Sequence, residues 1–543
     1  MQSEKRLQVT TKGFSRKEFL RLSGSGLAAT VLLGTAACGG GGTSGTGGGG
    51  GGGGSNILVT GLDQEPAVLN RMLSEGQLQV TNDTTAGIYE SPLAIQPDLS
   101  YAPELADGMP ELVSEDPQVV EYKLKKGLTF SDGKPLTSAD ARFTFDAIMN
   151  PDNNIVTREG WQDIGKFETP DDRTVRMTFD RPYSAWIDLL SNNWPILPKH
   201  VYEGKDFNEA LNDEVIASGP FKFESWKKGQ ELTVERNENY WGKKPALESV
   251  TYRFITDTNT LITSLQSAEV QFINPPPDIG LKEKLDALED TTVEVATGGV
   301  IWEALHFQTE NVPDLRIRQA IAYGTNRQQI LDKILKGVVD PLESVLMPEQ
   351  APYYTPAWER YTYDPDRARQ LVKEAKAEGA STTISFSTTT DNALRETLQE
   401  IAQQQLKDVG LTIEINNESA TTYFSKTTVN GDFDVGEWAW LTTPDPSLTS
   451  LFSGNHIPPE GENYYRYKND QVTEWVEEAD RTLDKAQRAK LLKQAQEQMA
   501  ADLPVFPLYQ RPVYTAFTPS LKGVVPNPSL AGVYWNMGEW SRQ

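Results

Sequence analysis

Thr383-Ile384-Ser385-Phe386 opens a stretch, residues 381–415, whose reading decides the fold. Those four residues read as a strand. Leu394, Leu398, Ile401 and Leu406 then recur at helical spacing, and Gly410 stands where a helix is closed by a left-handed residue. Leu411, Ile413 and Ile415 alternate with polar residues, which is the period of a strand. Strand, helix and strand at this length predict a parallel pair joined by a right-handed crossover. The class that follows is mixed α/β.

The same reading extends outward. Phe433-Asp434-Val435-Gly436-Glu437-Trp438 is expected to join the same sheet. Upstream, Asp364-Pro365 starts a helix with proline at its first position. Its stripe is Ala368, Leu371, Val372 and Ala375, and Gly379 ends it. Ile57 to Leu62 is a buried-type strand, and Val120, Tyr122 and Leu124 mark an amphipathic one. The turn Ser131-Asp132-Gly133-Lys134-Pro135 precedes Thr137 and Asp140, a capping-box start for a helix through Ile148.

Ligands of open α/β sheets bind beyond the carboxyl ends of the strands. Two loops meet that description, Ser387–Asp391 and Trp440–Pro446. The second brings together Trp438, Trp440, Thr442, Thr443 and Asp445, aromatic faces beside a few polar groups, which suits a small-molecule pocket. The plainer alternative is that each tryptophan fills the core.

The chain has 543 residues and a formal net charge of −25. Six of its 51 basic and two of its 76 acidic residues precede Cys38, so the remainder carries −29. Such a surface repels phosphate backbones and argues against nucleic-acid binding. Cys38 is the only cysteine, so no internal disulfide exists. The three histidines, His200, His306 and His456, have no metal-ligand spacing, and no cofactor is implied. Ser225-Trp226-Lys227-Lys228 matches S-x-x-K without the companion motifs of the penicillin-binding enzymes.

Residues 1–37 have the layout of a secretory signal: Lys5, Arg6, Lys12, Arg16, Lys17 and Arg21, then an apolar run from Leu27 to Leu33, then small residues. Gly34-Thr35-Ala36-Ala37-Cys38 resembles the lipobox of bacterial lipoproteins, with Thr35 where leucine is usual. Acylated Cys38 would then begin the mature chain. Phe14-Ser15-Arg16-Lys17-Glu18-Phe19-Leu20 resembles a twin-arginine export signal, with Lys17 in place of the second arginine. Residues 38–55, the cysteine and a glycine-rich run, read as a flexible tether.

Six segments, in order, resemble solute-binding protein family 5, the receptors of dipeptide, oligopeptide and nickel importers. They are Leu128–Thr137 with Asp140; Ser218-Gly219-Pro220-Phe221 with Trp226 and Gly229; Arg236–Gly242; Arg316–Ile321; Tyr363-Asp364-Pro365; and Asp502–Leu508. The resemblance runs from about Asn56 to the C-terminus. It implies a two-lobe periplasmic-binding-protein fold of type II, the Venus-flytrap arrangement, with an extra α+β domain. Lobe I would comprise 56–98, 212–303 and 510–543, the extra domain 99–211, and lobe II 304–509.

The implied function is capture of a peptide or peptide-like solute at the outer face of the cytoplasmic membrane, on its periplasmic or extracellular side. Delivery would be to an ABC permease and ATPase complex, by a lipid-anchored monomer that is not an enzyme. An oligosaccharide or metal-chelate receptor of the same family is the alternative, and an exported hydrolase is the alternative of a different class. One departure bears on the ligand. Counting back from Asp445-Pro446, Thr442 stands where peptide receptors of the family offer an aspartate to the peptide amine. Because a hydroxyl makes no charge-assisted bond, either another acid, such as Asp445, Asp63 or Glu65, meets the amine, or the ligand is not a simple free peptide. A second departure is Ala268-Glu269-Val270-Gln271, where the family has Gly-Glu-Val-Asp.

Overall fold

The computed structural model describes residues 56–543 except 77, 193, 210–214 and 391. The signal segment, Cys38 and the glycine-rich tether lie outside the described residues. The described chain belongs to one compact unit, Gly54–Gln543.

The 381–415 stretch forms the expected strand, helix and strand, Thr383–Ser387, Ala393–Asp408 and Thr412–Ile415. The two strands pair in parallel, Thr383 opposite Thr412. Asn392 caps the helix by accepting from the Arg395 N–H, and Gly410 follows its end with φ +98°. Leu394, Leu398, Ala402 and Leu406 bury one face of the helix against Ile384, Phe386 and Ile413 of the strands. Each fully buried leucine contributes about 1.5–3 kcal/mol over leaving it in water. Val435–Leu441 joins on the other side of Thr383–Ser387, also parallel, starting two residues after Phe433 and running three beyond Trp438.

That sheet has five strands, in the order Thr412–Ile415, Thr383–Ser387, Val435–Leu441, Ile301–Phe307 and Val505–Gln510. A second sheet has seven strands and is built around Ile57–Leu62, which pairs in parallel with Ser249–Phe254 and with Phe272–Ile273. Its outer members include Thr292–Ala296 and Val513–Phe517. A separate antiparallel sheet of four strands lies within residues 111–179. The chain passes between the two large sheets at 297–300 and again at 511–512, so Ile301–Phe307 begins before position 303. The capped helix after Thr137 is present as Ser138–Met149, with the Thr137 N–H donating to the Asp140 carboxylate at 2.8 Å.

Ala268, one of the departures noted above, sits at φ +59°, in the left-handed region that favours glycine. Gln271 replaces the usual aspartate and splints the turn: its Oε1 accepts from the Val59 N–H and its Nε2 donates to the Ala268 carbonyl. A Cβ in the left-handed region costs about 1–2 kcal/mol. Replacing Ala268 by glycine is therefore expected to raise stability, by about 1 kcal/mol after glycine's larger unfolded-state entropy is deducted. Chemical denaturation measures this, and a drop in midpoint would contradict it.

Candidate cleft between the two large sheets

A cavity of about 210 Å³ lies where the two crossings meet the carboxyl end of Ile57–Leu62. Leu62 and Asp63 enter it from that strand, Asp83 from the helix Gln79–Thr85, and Pro275 to Pro277 from the loop after Phe272–Ile273. Gly299 and Arg511 come from the crossings, Ile301 from the first position of its strand, and Pro528 and Gly532 from the C-terminal loop. Gly532 has φ +71°, and a Cβ there would stand 2.6 Å from Asp83 Oδ1, so only glycine lets this loop close over the carboxylate.

The charges of the cavity divide unevenly. Asp83 is 3% exposed and accepts from Gln79 Nε2 at 2.9 Å. Burial, with the Asp63 charge adding to it, pushes its carboxyl up to about 7. Burial raises Asp63 as well. Arg511, across the cavity, is taken by Glu303, which accepts from its Nε at 2.6 Å. Glu303 also holds Arg395 Nη2 at 3.1 Å and is 1% exposed. Burial alone would raise Glu303, but the two guanidinium groups outweigh it and bring the carboxyl to about 2.

Of the residues expected at the site, only Asp63 lines this cavity. Trp438 is corrected to a core residue: it is 1% exposed, and its ring stacks on His306 at 3.6 Å between centroids. Trp440 stacks on Tyr464 and donates its indole N–H to the Tyr465 hydroxyl at 2.6 Å. Thr442 accepts from Gln350 Nε2 at 3.0 Å, and Thr443 Oγ1 donates to the Asp445 carbonyl. Asp445 is paired with Arg488 at 2.5 Å. Glu65 accepts from Trp226 Nε1 at 2.9 Å and from the Gly229 N–H, so it fastens a hairpin. The Ser387–Thr389 segment of the other expected loop is buried, with Thr388 Oγ1 donating to the Glu437 carbonyl. Asp391 lies outside the described residues.

Sequence reading missed Asp83, Arg511 and the Glu303–Arg395 pair. Asp83 has only a weak sequence signal, the polar run Thr81–Thr85 that the fold buries. None of the three histidines lines the cavity. His306 is buried and thereby held down to about 3, so it is neutral at physiological pH. His200 pairs with Asp132 at 2.8 Å. Among the described residues no group of three or more His, Cys, Asp and Glu side chains is placed to hold a metal ion. No described helix is long and apolar enough to cross a membrane.

The Trp440–Pro446 loop serves a different contact, a seam with residues 101–188. Thr443 hydrogen-bonds the Asp188 carboxyl, to which the Tyr101 hydroxyl donates from its own side, and nearby the Ser184 N–H donates to the Asp480 carbonyl at 2.7 Å. Burial, then the Asp445 charge, pushes Asp188 up to about 7. Thr443, Tyr101 and Arg488 are the other groups that act on it. A raised carboxyl binds its proton more tightly folded than unfolded, so its stabilisation is full below 3.8 and is lost as pH rises toward about 7. Melting temperature is expected to be higher near about pH 5 than near about pH 8, with a smaller difference in Asp188→Asn. Equal pH slopes in the two proteins would contradict this account.

Two sheets joined by a double crossing, with a cavity at the crossing, define a two-lobe solute receptor. A family model described as bacterial extracellular solute-binding proteins, family 5 Middle, matches residues 100–459, and the chain belongs to that family. It is a binding protein that works outside the cytoplasm, not an enzyme. Among relatives, the glutathione-binding protein GsiB of Salmonella choleraesuis (strain SC-B67) is 28% identical over 463 residues, covering 81% of this chain and 88% of that one. The oligopeptide-binding protein AppA of Bacillus subtilis (strain 168) is 26% identical over 505 residues, covering 89% and 91%. Among solved structures, the ABC transporter substrate binding protein CtaP of Listeria monocytogenes superposes with a TM-score of 0.81 at 25% identity, covering 90% of this chain and 99% of that one. AppA of Bacillus subtilis in complex with a nonapeptide superposes with a TM-score of 0.76 at 23% identity, with the same coverages.

Proposed function

We propose that this protein captures a short peptide or peptide-like solute in the cavity at the double crossing and presents it to the permease of an ABC importer. Lobe I is the seven-stranded sheet with its flanking segments, residues 56–98, 212–303 and 510–543 apart from the start of the Ile301–Phe307 strand. Lobe II is the five-stranded sheet, and 99–211 is the extra domain. The observation that carries this reading is the cavity at the double crossing, lined from the seven-stranded sheet and its flanking segments, with Ile301 at the first position of a strand of the five-stranded sheet. A solute held in this cavity that also touches lobe II does so only when the lobes are closed, and so shifts the open–closed equilibrium. The volume of about 210 Å³ is below that of pockets for drug-sized ligands, about 300–1,000 Å³, and suits the end of a short peptide. The names of GsiB and AppA support a peptide-like solute.

Cys38, acylated after signal cleavage, tethers the receptor at the outer membrane face, and the glycine-rich run gives it reach. Thermal-shift screening against pools of short peptides, oligosaccharides and metal chelates tests the ligand class, because a ligand that binds only the native state raises the melting temperature. Stabilisation by the peptide pool is expected; stabilisation by another pool alone would replace this reading. Cys38→Ser is expected to move the protein from the membrane fraction to the soluble fraction, and unchanged membrane association would remove the anchor from the proposal.

A further inference from the structure

Acids from both sides meet at the seam between residues 101–188 and 442–481. Glu159 and Asp188 belong to the first side; Asp445, Glu462 and Asp480 belong to the second. The seam is a made contact: Ser184 donates its N–H to the Asp480 carbonyl at 2.7 Å and its Oγ to the Ala479 carbonyl at 3.0 Å. Two hydroxyls reach across it. Thr443 hydrogen-bonds the Asp188 carboxyl, and Ser447 that of Glu159. Ser447 Oγ also donates to Asp480 at 2.7 Å, so the Glu159 and Asp480 carboxyls meet at one hydroxyl. Arg488 is the buried cation that answers these acids; it pairs with Asp445, and its charge also acts on Asp188 and Asp480. The basic groups at the rim are engaged on their own sides. Arg181 pairs with Asp163 at 2.5 Å, Arg481 pairs with Glu477 at 3.3 Å, and Arg158 donates to the carbonyls of Ile148, Asn150 and Asn153. His456 acts on Glu477. Tyr101 donates to Asp188, and Tyr183 and Tyr353 are the other phenols among these charges.

Bringing these carboxylates together without water costs free energy unless cations or protons neutralise the surplus. Burial pushes Asp188 up to about 7, with Asp445 across the seam the next cause. Burial does the same to Glu159, with Asp480 across the seam the next cause. When the two sides part, water returns to both carboxyls and the facing acids recede, so both fall back toward the ordinary range. A group raised in the closed form binds its proton more tightly there. Its support for closure is full below the ordinary carboxylate range and is lost as pH rises toward about 7. We infer that closing of the two lobes is coupled to uptake of solvent protons at Asp188 and Glu159, so the receptor closes more readily in acid than in alkaline surroundings. This rests on the closing of two lobes proposed above and gives it a control outside the solute cavity.

Spin-label distances in the full chain, with no solute added, test it. Lys126 and Lys485 are exposed, one on each side of the seam, and take the labels as Lys126→Cys and Lys485→Cys in a Cys38→Ser background. The ratio of short to long distances should be roughly tenfold or more higher at about pH 5 than at about pH 8. Asp188→Asn with Glu159→Gln places neutral amides where the protonated acids stand. That double variant should be as closed at about pH 8 as the parent is at about pH 5, and its ratio should no longer depend on pH. Each single variant should lose part of the dependence, which keeps the test decisive if the double variant folds poorly. Two distances whose populations ignore pH in the parent would overturn the coupling while leaving the closing of the lobes intact. A pH dependence of undiminished size in the variants would also overturn it, because the protons would then bind elsewhere. One distance at every pH in all these proteins would remove lobe closure itself, and the coupling with it.

Discussion

Arg395→Ala is expected to lose about 3–5 kcal/mol of stability, as for a buried ion pair stripped of one partner. The side chain is 8% exposed; its Nη2 meets both oxygens of Glu303, and its Nη1 donates to Thr389 Oγ1. Glu437 stands beside the pair, fully buried, with neither carboxylate oxygen hydrogen-bonded among the described residues. Burial, then the Glu303 charge, holds its carboxyl well above the ordinary range, so it stays protonated. Removing Arg395 leaves Glu303 with Arg511 alone, at the edge of the cavity, and a second acid behind it. The loss should shrink in Arg395→Met/Glu303→Gln, where the stranded charge is removed as well; a double-mutant cycle isolates that coupling. Because the chain is large, midpoints should be followed with separate probes of secondary and tertiary structure. A change below about 1 kcal/mol for Arg395→Ala would show that solvent reaches Glu303, since exposed pairs contribute only that much.

Much of the fold could be read from periodicity. The 381–415 stretch announced itself because one face of its helix and alternate residues of its strands are apolar, and those are the faces that pack. The site was less legible, for two physical reasons. Strand alternation shows that Trp438 and Glu437 point to opposite faces but not which face neighbouring strands cover. Ile301–Phe307 pairs with Val435–Leu441 along its full length, from Ile301 opposite Leu441 to Phe307 opposite Val435. The strand end read as a loop mouth is therefore largely sheet. The second reason is distance along the chain. Asp83, Asn274, Arg511 and Gly532 line one cavity but come from four separate segments, and no spacing in the sequence relates them. Asp63 was named only as one of three acids able to meet an amine; Asp83 sits in a helix with no apolar stripe. The loop 440–446 was singled out for its chemistry, and its chemistry is used at the seam.

Arg488→Met should open that seam. Arg488, on the helix Lys485–Asp502, is 2% exposed. Its Nη1 pairs with Asp445 at 2.5 Å and lies 3.2 Å from the Tyr353 hydroxyl, and its Nη2 donates to the Pro446 carbonyl at 2.7 Å. The guanidinium also lies over the Tyr353 ring, 4.8 Å from the centroid. It acts on a group of acids that meet across the seam: Asp188 from one side, Asp445 and Asp480 from the other. Methionine preserves much of the volume but leaves those acids without this cation. The expected penalty is again about 3–5 kcal/mol, this time concentrated where residues 101–188 touch 442–481. Amide exchange at Ser184, whose N–H bonds the Asp480 carbonyl, should accelerate. Loss of stability on raising pH should also steepen, because the acids must then repel one another or stay protonated. Solute affinity should fall too, since a more open ground state lowers the fraction of molecules competent to bind. Asp445→Asn in the Arg488→Met background should recover part of all three. If the single variant keeps normal Ser184 exchange and normal affinity, the seam does not govern closure, and the Arg488–Asp445 pair only fixes the loop that carries it.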